Sequence, residues 1–289
     1  MSSKKDLKKF EETLGAIKSL TKVFEQSAVG KMKVSQIEIE KITKYLNAAR
    51  GTYSDTKISL TSKMDPKHRE VAMRSSFRKT TKPQILVLIA SQDRYYGNLM
   101  PSLFALFIEE YRKSNSDAII LGKIGKELLD NENINAQNIT YYDFEDTKPD
   151  WDLTHKIIES LAIYEQIILF YGQYQSVLTQ HPRKEVITQT VSVEGTIKPK
   201  KYLFRPEPAN SLSFLESQII AGAFVSKLYE SGVAKFAARV KLLEIGQVAE
   251  RISAAVDVLH KGKLKARKES NNRKQMQLFT GANLWQSGK

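Results

Sequence analysis

Three groups of residues in this 289-residue chain are of the types that nucleotide, metal or acid–base chemistry uses. Gly122-Lys123-Ile124-Gly125-Lys126 has the glycines and lysines of a phosphate cradle. Its G-x-x-G-K spacing is two residues shorter than G-x-x-x-x-G-K-[ST], and Glu127 follows, so a structural strand-to-helix turn is the stronger reading. The turn Ser91–Gly97 has one glycine where a dinucleotide fingerprint needs three. His68, His155, His181 and His260 share no i, i+3 or i, i+4 spacing, and the chain has no cysteine, so no metal site and no thiol or disulfide chemistry is expected. Glu109 with Glu110, and Asp143 with Glu145, lie in charged stretches that read as solvated surface rather than as catalytic dyads. The expectation is a non-enzyme with no cofactor, and a structural or mechanical role.

The elements that carry these residues are divided by proline. All eight prolines lie between Pro66 and Pro208, leaving 65 residues before and 81 after without one. Because proline costs about 3 kcal/mol inside a helix, both ends are free to be long helices. Leu7, Phe10, Leu14, Ile17, Thr21, Phe24 and Ala28 recur at alternating steps of three and four, the spacing of a coiled-coil seam. Ala238, Leu242, Ile245, Ala249, Ile252, Val256 and Leu259 do the same. Either stripe alone also fits the core face of a bundle helix. Length favours the coil, since helices over residues 4–57 and 211–283 would run ~80 and ~105 Å. Ser213 and Glu216 have the spacing of a capping box and predict where the second helix starts. Glycines 222, 232, 246 and 262 each weaken that helix by roughly 1 kcal/mol, and close approach of two helices would account for them.

The middle of the chain reads as α/β. Apolar runs at Gln84–Ala90, Ala118–Leu121, Asn138–Tyr142 and Gln166–Phe170 alternate with helical stretches at Leu103–Tyr111 and Leu153–Ile163, and Val186–Val193 reads as a later alternating strand. Continuous apolar strands separated by short helices predict a mostly parallel sheet covered on both faces. The predicted fold is therefore α/β. A long antiparallel coiled coil of N- and C-terminal helices (residues 1–65 and 209–289) brackets a Rossmann-like α/β domain (66–208).

The formal charge of +13 is uneven. Residues 1–65 hold 13 basic and 8 acidic groups, residues 209–289 hold 13 and 6, and the middle is nearly neutral. Such an excess suits nucleic acid, anionic lipid or an acidic protein. A basic coiled-coil nucleic-acid binder is the alternative reading, but the seams lack interleaved aromatics for base stacking, so nucleic acid is not the expected partner. No run of about 18 apolar residues exists, and MSSKKDLKKF lacks a secretory signal's apolar stretch. The expectation is a cytoplasmic location without direct lipid insertion.

Several segments resemble the gamma subunit, the central rotor shaft, of F-type ATP synthases. Leu20-Thr21-Lys22-Val23-Phe24 is similar to the family's I-T-K-A-M, and Lys31-Met32-Lys33 falls near its K-L-R. Asp93-Arg94-Tyr95-Tyr96-Gly97-Asn98-Leu99 looks like a shortened S-D-R-G-L-C-G-x-L-N. Ile120–Gly125 is similar to V-G-K-K-G, and Phe170–Ser176 to Y-N-x-F-x-S. Glu230-Ser231 followed by Ala237-Ala238-Arg239 keeps the spacing of E-S-L-A-S-E-H-A-A-R-M, with Lys235 and Val240 at its second glutamate and its methionine. Lys265-Ala266-Arg267 followed by Gly281-Ala282 matches K-A-R-Q…G-G-A, with Lys268, Asn271-Asn272 and Lys274 replacing the usual glutamine, Ile-Thr and glutamate.

The resemblance implies a divergent, non-catalytic subunit of a complex that makes or hydrolyses ATP while transporting protons or sodium ions. Its implied partners are the alpha and beta subunits of the catalytic head, the epsilon subunit and the membrane c-ring, with the chain peripheral on the cytoplasmic side of the membrane. Within residues 261–274 seven basic groups face Glu269 alone. By resemblance, Lys265, Arg267, Lys268, Arg273 and Lys274 would meet an acidic segment of beta, and Leu278, Phe279 and Trp285 would sit in the apolar bearing of the head. Leu7, Phe10, Leu14, Ile17, Leu242, Ile245, Ile252, Val256 and Leu259 would form the seam of the shaft.

Overall fold

The computed structural model describes residues 4–62, 65, 68, 72, 75–114, 116–132, 137–146, 149–191 and 208–286. In line with the proline-free ends, helix α1 covers Lys4–Thr61 and helix α5 covers Pro208–Gln286. The first turn of α1's exit closes locally, with Ser62 N donating to the Ile58 carbonyl at 2.9 Å. At the start of α5 the expectation of a capping box fails. Pro208 occupies the first helical position, where its missing N–H has no helical partner to lose, and the Glu216 side chain is used elsewhere, as described below.

Between them lie β1 (Lys82–Ile89), α2 (Leu99–Ser114), β2 (Asp117–Leu121), α3 (Lys123–Asp130), β3 (Ile139–Tyr142), α4 (Trp151–Leu161), β4 (Tyr164–Tyr174) and β5 (Gln180–Val186). The sheet order is β3-β2-β1-β4-β5. All neighbours are parallel except β4 and β5. The central strand explains why its sequence is a continuous apolar run. Leu86, Leu88 and Ala90 face a layer containing Phe104, Phe107 and Tyr111 of α2, whereas Ile85, Val87 and Ile89 face Ile157 and Leu161 of α4.

The last strand departs from the expectation at Val186–Val193. β5 ends at Val186, and Ile187–Val191 is a 3-10 turn. β5 is an edge strand carrying Pro182, Arg183, Lys184 and Glu185. An edge tolerates proline and charge, and both conceal a strand from apolar periodicity.

The chain forms two compact units, residues 1–242 and 243–289. Within the first, α1 and α5 run antiparallel. Ala28 and Met32 pack on Val233, Phe236, Ala237 and Val240, while Leu46, Ala49 and Tyr53 pack on Leu212 and Ile219. Burying each large side chain here contributes on the order of 1.5–3 kcal/mol. Gly222 permits the approach, because a Cβ there would lie 2.8 Å from Leu46 Cδ2. The expectation does not extend to Gly262, where a Cβ would meet nothing within 4 Å.

In the second unit α5 continues as helix to Gln286. Among the described residues, no helix is long and apolar enough to cross a membrane.

Candidate functional site

In an open α/β sheet the ligand crevice lies beyond the carboxyl ends of the strands, where the strand order reverses. Here the reversal falls between β1 and β4, because β2 and β3 extend to one side and β4 and β5 to the other. Helix α5 fills that crevice. Its Ile220, Ala223, Phe224 and Leu228 belong to the α4 side of the sheet core, and its Ala234 and Ala238 to the α2 side. Ala234 lies against the backbone of β4, so that a Cβ on Gly172 would come within 3.2 Å of the Ala234 Cβ.

The Gly122–Lys126 turn is likewise committed to packing. Gly122 has φ +97°, and a Cβ there would lie 2.7 Å from the backbone of Ser91. The first amides of α3 are already taken. Ile124 N donates to the Ser91 carbonyl at 2.9 Å and Lys123 N to Gln92 Oε1 at 3.2 Å. The amides that a phosphate would need are therefore held by the turn after β1. Gly122→Ala combines a left-handed φ with a backbone clash and is expected to cost about 2–3 kcal/mol. Urea unfolding monitored by circular dichroism would measure it.

A buried polar cluster, which reading the sequence missed, joins α5 to the crevice. Lys235 Nζ donates to Asp146 Oδ1 at 2.7 Å and to the carbonyl of Ala90, at the exit of β1. Both charged side chains are 4% exposed. The other Asp146 oxygen, Oδ2, accepts from Gln92 N (2.9 Å), Asp93 N (3.1 Å) and the Tyr96 hydroxyl (3.0 Å). Burial alone would raise the Asp146 carboxyl. The attraction and hydrogen bond of Lys235, with the amides of Asp93 and Gln92, outweigh it and hold the group below the ordinary aspartate value. Tyr96 is pushed upward, first by burial and then by the Asp146 charge. One turn further along α5, Arg239 stacks 4.6 Å above the Tyr96 ring and donates to Asp93 Oδ2 at 3.2 Å.

A second buried cluster lies near the start of α5. Glu216 is 3% exposed. Its Oε1 accepts from the Tyr53 hydroxyl of α1 at 2.9 Å, and its Oε2 from Ser76 Oγ (3.0 Å), Phe77 N (2.8 Å) and Arg78 N (3.0 Å). Lys57 donates to the Tyr53 oxygen and to the Ser75 carbonyl, each at 2.9 Å. One carboxylate thus ties α1, α5 and the lead-in to β1. The signal available in the sequence was an isolated Glu at a helix start, which points first to capping.

The residues singled out from the sequence fall differently. Lys265, Arg267, Lys268, Arg273 and Lys274 are all exposed, as is every residue from 261 to 277. At 100° per residue their charges lie all around the helix rather than on one stripe. Leu242 is 39% exposed and its Cδ1 lies 3.8 Å from where a Cβ on Gly97 would be. Phe24, in the first stripe, is 58% exposed. The side chains of Leu7, Phe10, Leu14, Ile17, Ile245, Ile252, Val256, Leu259, Leu278, Phe279 and Trp285 lie outside the described residues.

Comparison with known proteins agrees with this geometry. The sequence profile of a family described as ATP synthase matches residues 3–247. An ATP synthase gamma chain of Buchnera aphidicola subsp. Schlechtendalia chinensis is 26% identical over 303 residues, which cover 98% of each chain. A chain in the central stalk and c-ring structure of the Tetrahymena thermophila mitochondrial ATP synthase superposes with a TM-score of 0.54 at 14% identity, over 79% of this chain and 99% of that one.

Proposed function

We propose how this chain works from the premise that it belongs to the ATP synthase gamma-chain family: it is the non-catalytic central shaft of a rotary ATP synthase or ATPase. The observation that carries the reading is α5 itself. It pairs antiparallel with α1, and the same helix fills the crevice where a nucleotide-binding sheet would take its ligand. A sheet so plugged transmits force to a coil and binds no substrate there.

In this reading the three parts of the chain, 1–65, 66–208 and 209–289, divide the labour. The sheet domain is the foot, resting on the epsilon subunit and the c-ring at the cytoplasmic side of the membrane. The two end helices are the shaft within a head of alpha and beta subunits, whose catalytic sites change conformation as the shaft turns. Leu7, Phe10, Leu14, Ile17, Leu242, Ile245, Ile252, Val256 and Leu259 form its seam, and Leu278, Phe279 and Trp285 its apolar bearing. A helix charged all round over residues 261–277 suits a partner that it must slide past, because attraction between charges is long-ranged and does not lock one orientation as an apolar knob does. Lys265, Arg267, Lys268, Arg273 and Lys274 face an acidic segment of beta.

Affinity purification of the full chain tests the assignment. Recovery of alpha- and beta-like chains is the expected result, and recovery of the chain without them counts against it. Within such a complex, Arg267→Ala with Lys268→Ala is expected to lower rotor torque several-fold while leaving assembly intact. Single-molecule rotation measures this, and undiminished torque would remove the basic segment from the coupling.

A further inference from the structure

Beyond Leu228, where its large side chains leave the sheet core, the stretch of α5 that faces the carboxyl ends of β1 and β4 carries mostly small side chains: Ser231, Ala234 and Ala238 are at most 5% exposed. Small side chains bury area but interlock poorly, so a helix with this face packs almost as well after a small axial or rotational slip. A slip of one residue displaces the helix by about 1.5 Å along its axis. Apolar burial, being non-directional, opposes such a slip weakly.

Lys235, with Arg239 one turn further on, is the exception on this stretch, and of the two only Lys235 is buried with its counter-ion. Its ammonium is held by the Ala90 carbonyl and by Asp146, from two different loops. Asp146 in turn is clamped by the amides of Gln92 and Asp93 and by Tyr96. A slip of even one residue would break this arrangement and strand two charges out of water. Buried ion pairs contribute little net stability compared with a well-packed apolar pair of the same volume, and their best-attested use is in specifying register.

We infer that the Lys235–Asp146 pair sets the register of helix α5 on the sheet, acting as a positioning pair that fixes the angle between foot and shaft. Its mechanical consequence rests on the shaft reading above; the register itself does not. With the pair intact, torque applied at the sheet reaches α5 without lost motion.

The chain has no cysteine, so spin labels can be placed cleanly. Exposed His155 on α4 and Phe214 on α5 become the label sites as His155→Cys and Phe214→Cys in the full chain. The test variant is Lys235→Met with Asp146→Leu, which removes both charges and retains apolar volume. Pulsed dipolar spectroscopy is expected to give a distance distribution about twice as wide as that of the labelled parent, or a second peak displaced by about 1.5 Å or more. In the assembled complex, ion pumping per ATP hydrolysed is expected to fall at least two-fold while hydrolysis changes less. An unchanged distance distribution overturns the inference. If the double variant does not fold, Lys235→Arg decides: its longer side chain keeps the pair, so a narrow but displaced distribution supports the inference and an undisplaced one overturns it. The outcomes separate cleanly, because failure to recover head subunits sinks the shaft reading, whereas the distances alone judge the register.

Discussion

Glu216→Ala is expected to destabilise the chain by about 3–5 kcal/mol, among the largest effects of any single substitution. The carboxylate is the common acceptor for Tyr53, Ser76 and the amides of Phe77 and Arg78. Removing it leaves the buried Tyr53 hydroxyl and the half-buried amides of Phe77 and Arg78 without that acceptor, whereas exposed Ser76 can turn to water, and each unmade buried hydrogen bond costs on the order of 1–3 kcal/mol before relaxation. Lys57 sharpens the test. Burial lowers its ammonium pKa, and the charge of Glu216 opposes that fall, so the variant moves it lower still. When the folded-state value of a lysine lies below its unfolded value, the unfolded chain binds more protons between the two, and stability rises with pH. The deficit of Glu216→Ala is therefore expected to be greatest near neutral pH and to shrink as pH rises through the Lys57 titration. Denaturant unfolding between pH 7 and 10 measures it; a pH-independent deficit would mean that Lys57 is not coupled to Glu216. Amide exchange at Phe77 and Arg78 should accelerate in parallel.

Lys235→Met carries a similar expected loss, roughly 3–5 kcal/mol, because it leaves the Asp146 charge buried without its counter-ion. The three donors to Oδ2 remain, so the carboxylate is not wholly unsupported. Its titration must move. Without the attraction and hydrogen bond of Lys235, burial, which raises the Asp146 pKa, is opposed only by what is left. In the parent the depressed value contributes stability that is present above the ordinary carboxylate range, about pH 4, and is lost as pH falls through the folded-state value. The deficit of Lys235→Met is therefore expected to be greatest near neutral pH and to shrink as pH falls through the carboxylate range, because the variant's Asp146 protonates first and so loses its stranded charge. Denaturant unfolding between about pH 3 and 7 measures it, and a pH-independent deficit would show that the ion pair does not govern Asp146. The companion variant Lys235→Met with Asp146→Leu should recover only part of the stability lost by the single change: the stranded charge is gone, but Gln92 N, Asp93 N and the Tyr96 hydroxyl lose their acceptor.

The comparison of Gly122 with Lys235 shows how far local pattern reaches. Gly122–Lys126 was readable as a packing turn because the spacing of its own five residues excludes a phosphate loop, and the Ser91 contact agrees. Lys235 was legible only as a departure from a resembling segment. Its carboxylate partner lies 89 residues away, in a loop whose apposition to α5 depends on the complete sheet. Glu216 is the stronger case. Its local spacing from Ser213 pointed to a capping box, while its donors lie 138 to 163 residues away. Edge strand β5 escaped for a related reason, since a strand with one neighbour and a solvated side need not be apolar.

What the amino-acid sequence determined by itself was most of the set of elements, the edge strand β5 excepted. Proline-free ends allow long helices, and apolar runs of four to seven residues separated by short amphipathic stretches make a parallel sheet with two covered faces, because helix and strand formation respond to neighbours a few residues away. Only the tertiary structure decided what those elements do together. That α5 fills the crevice at the strand reversal, and that two buried carboxylates fasten the helices to the sheet, depend on groups brought together across more than 80 residues of chain. A charge paired at that distance leaves no periodicity behind. Its energy is settled by desolvation and contact in the folded state, quantities that do not exist until the chain has closed around it.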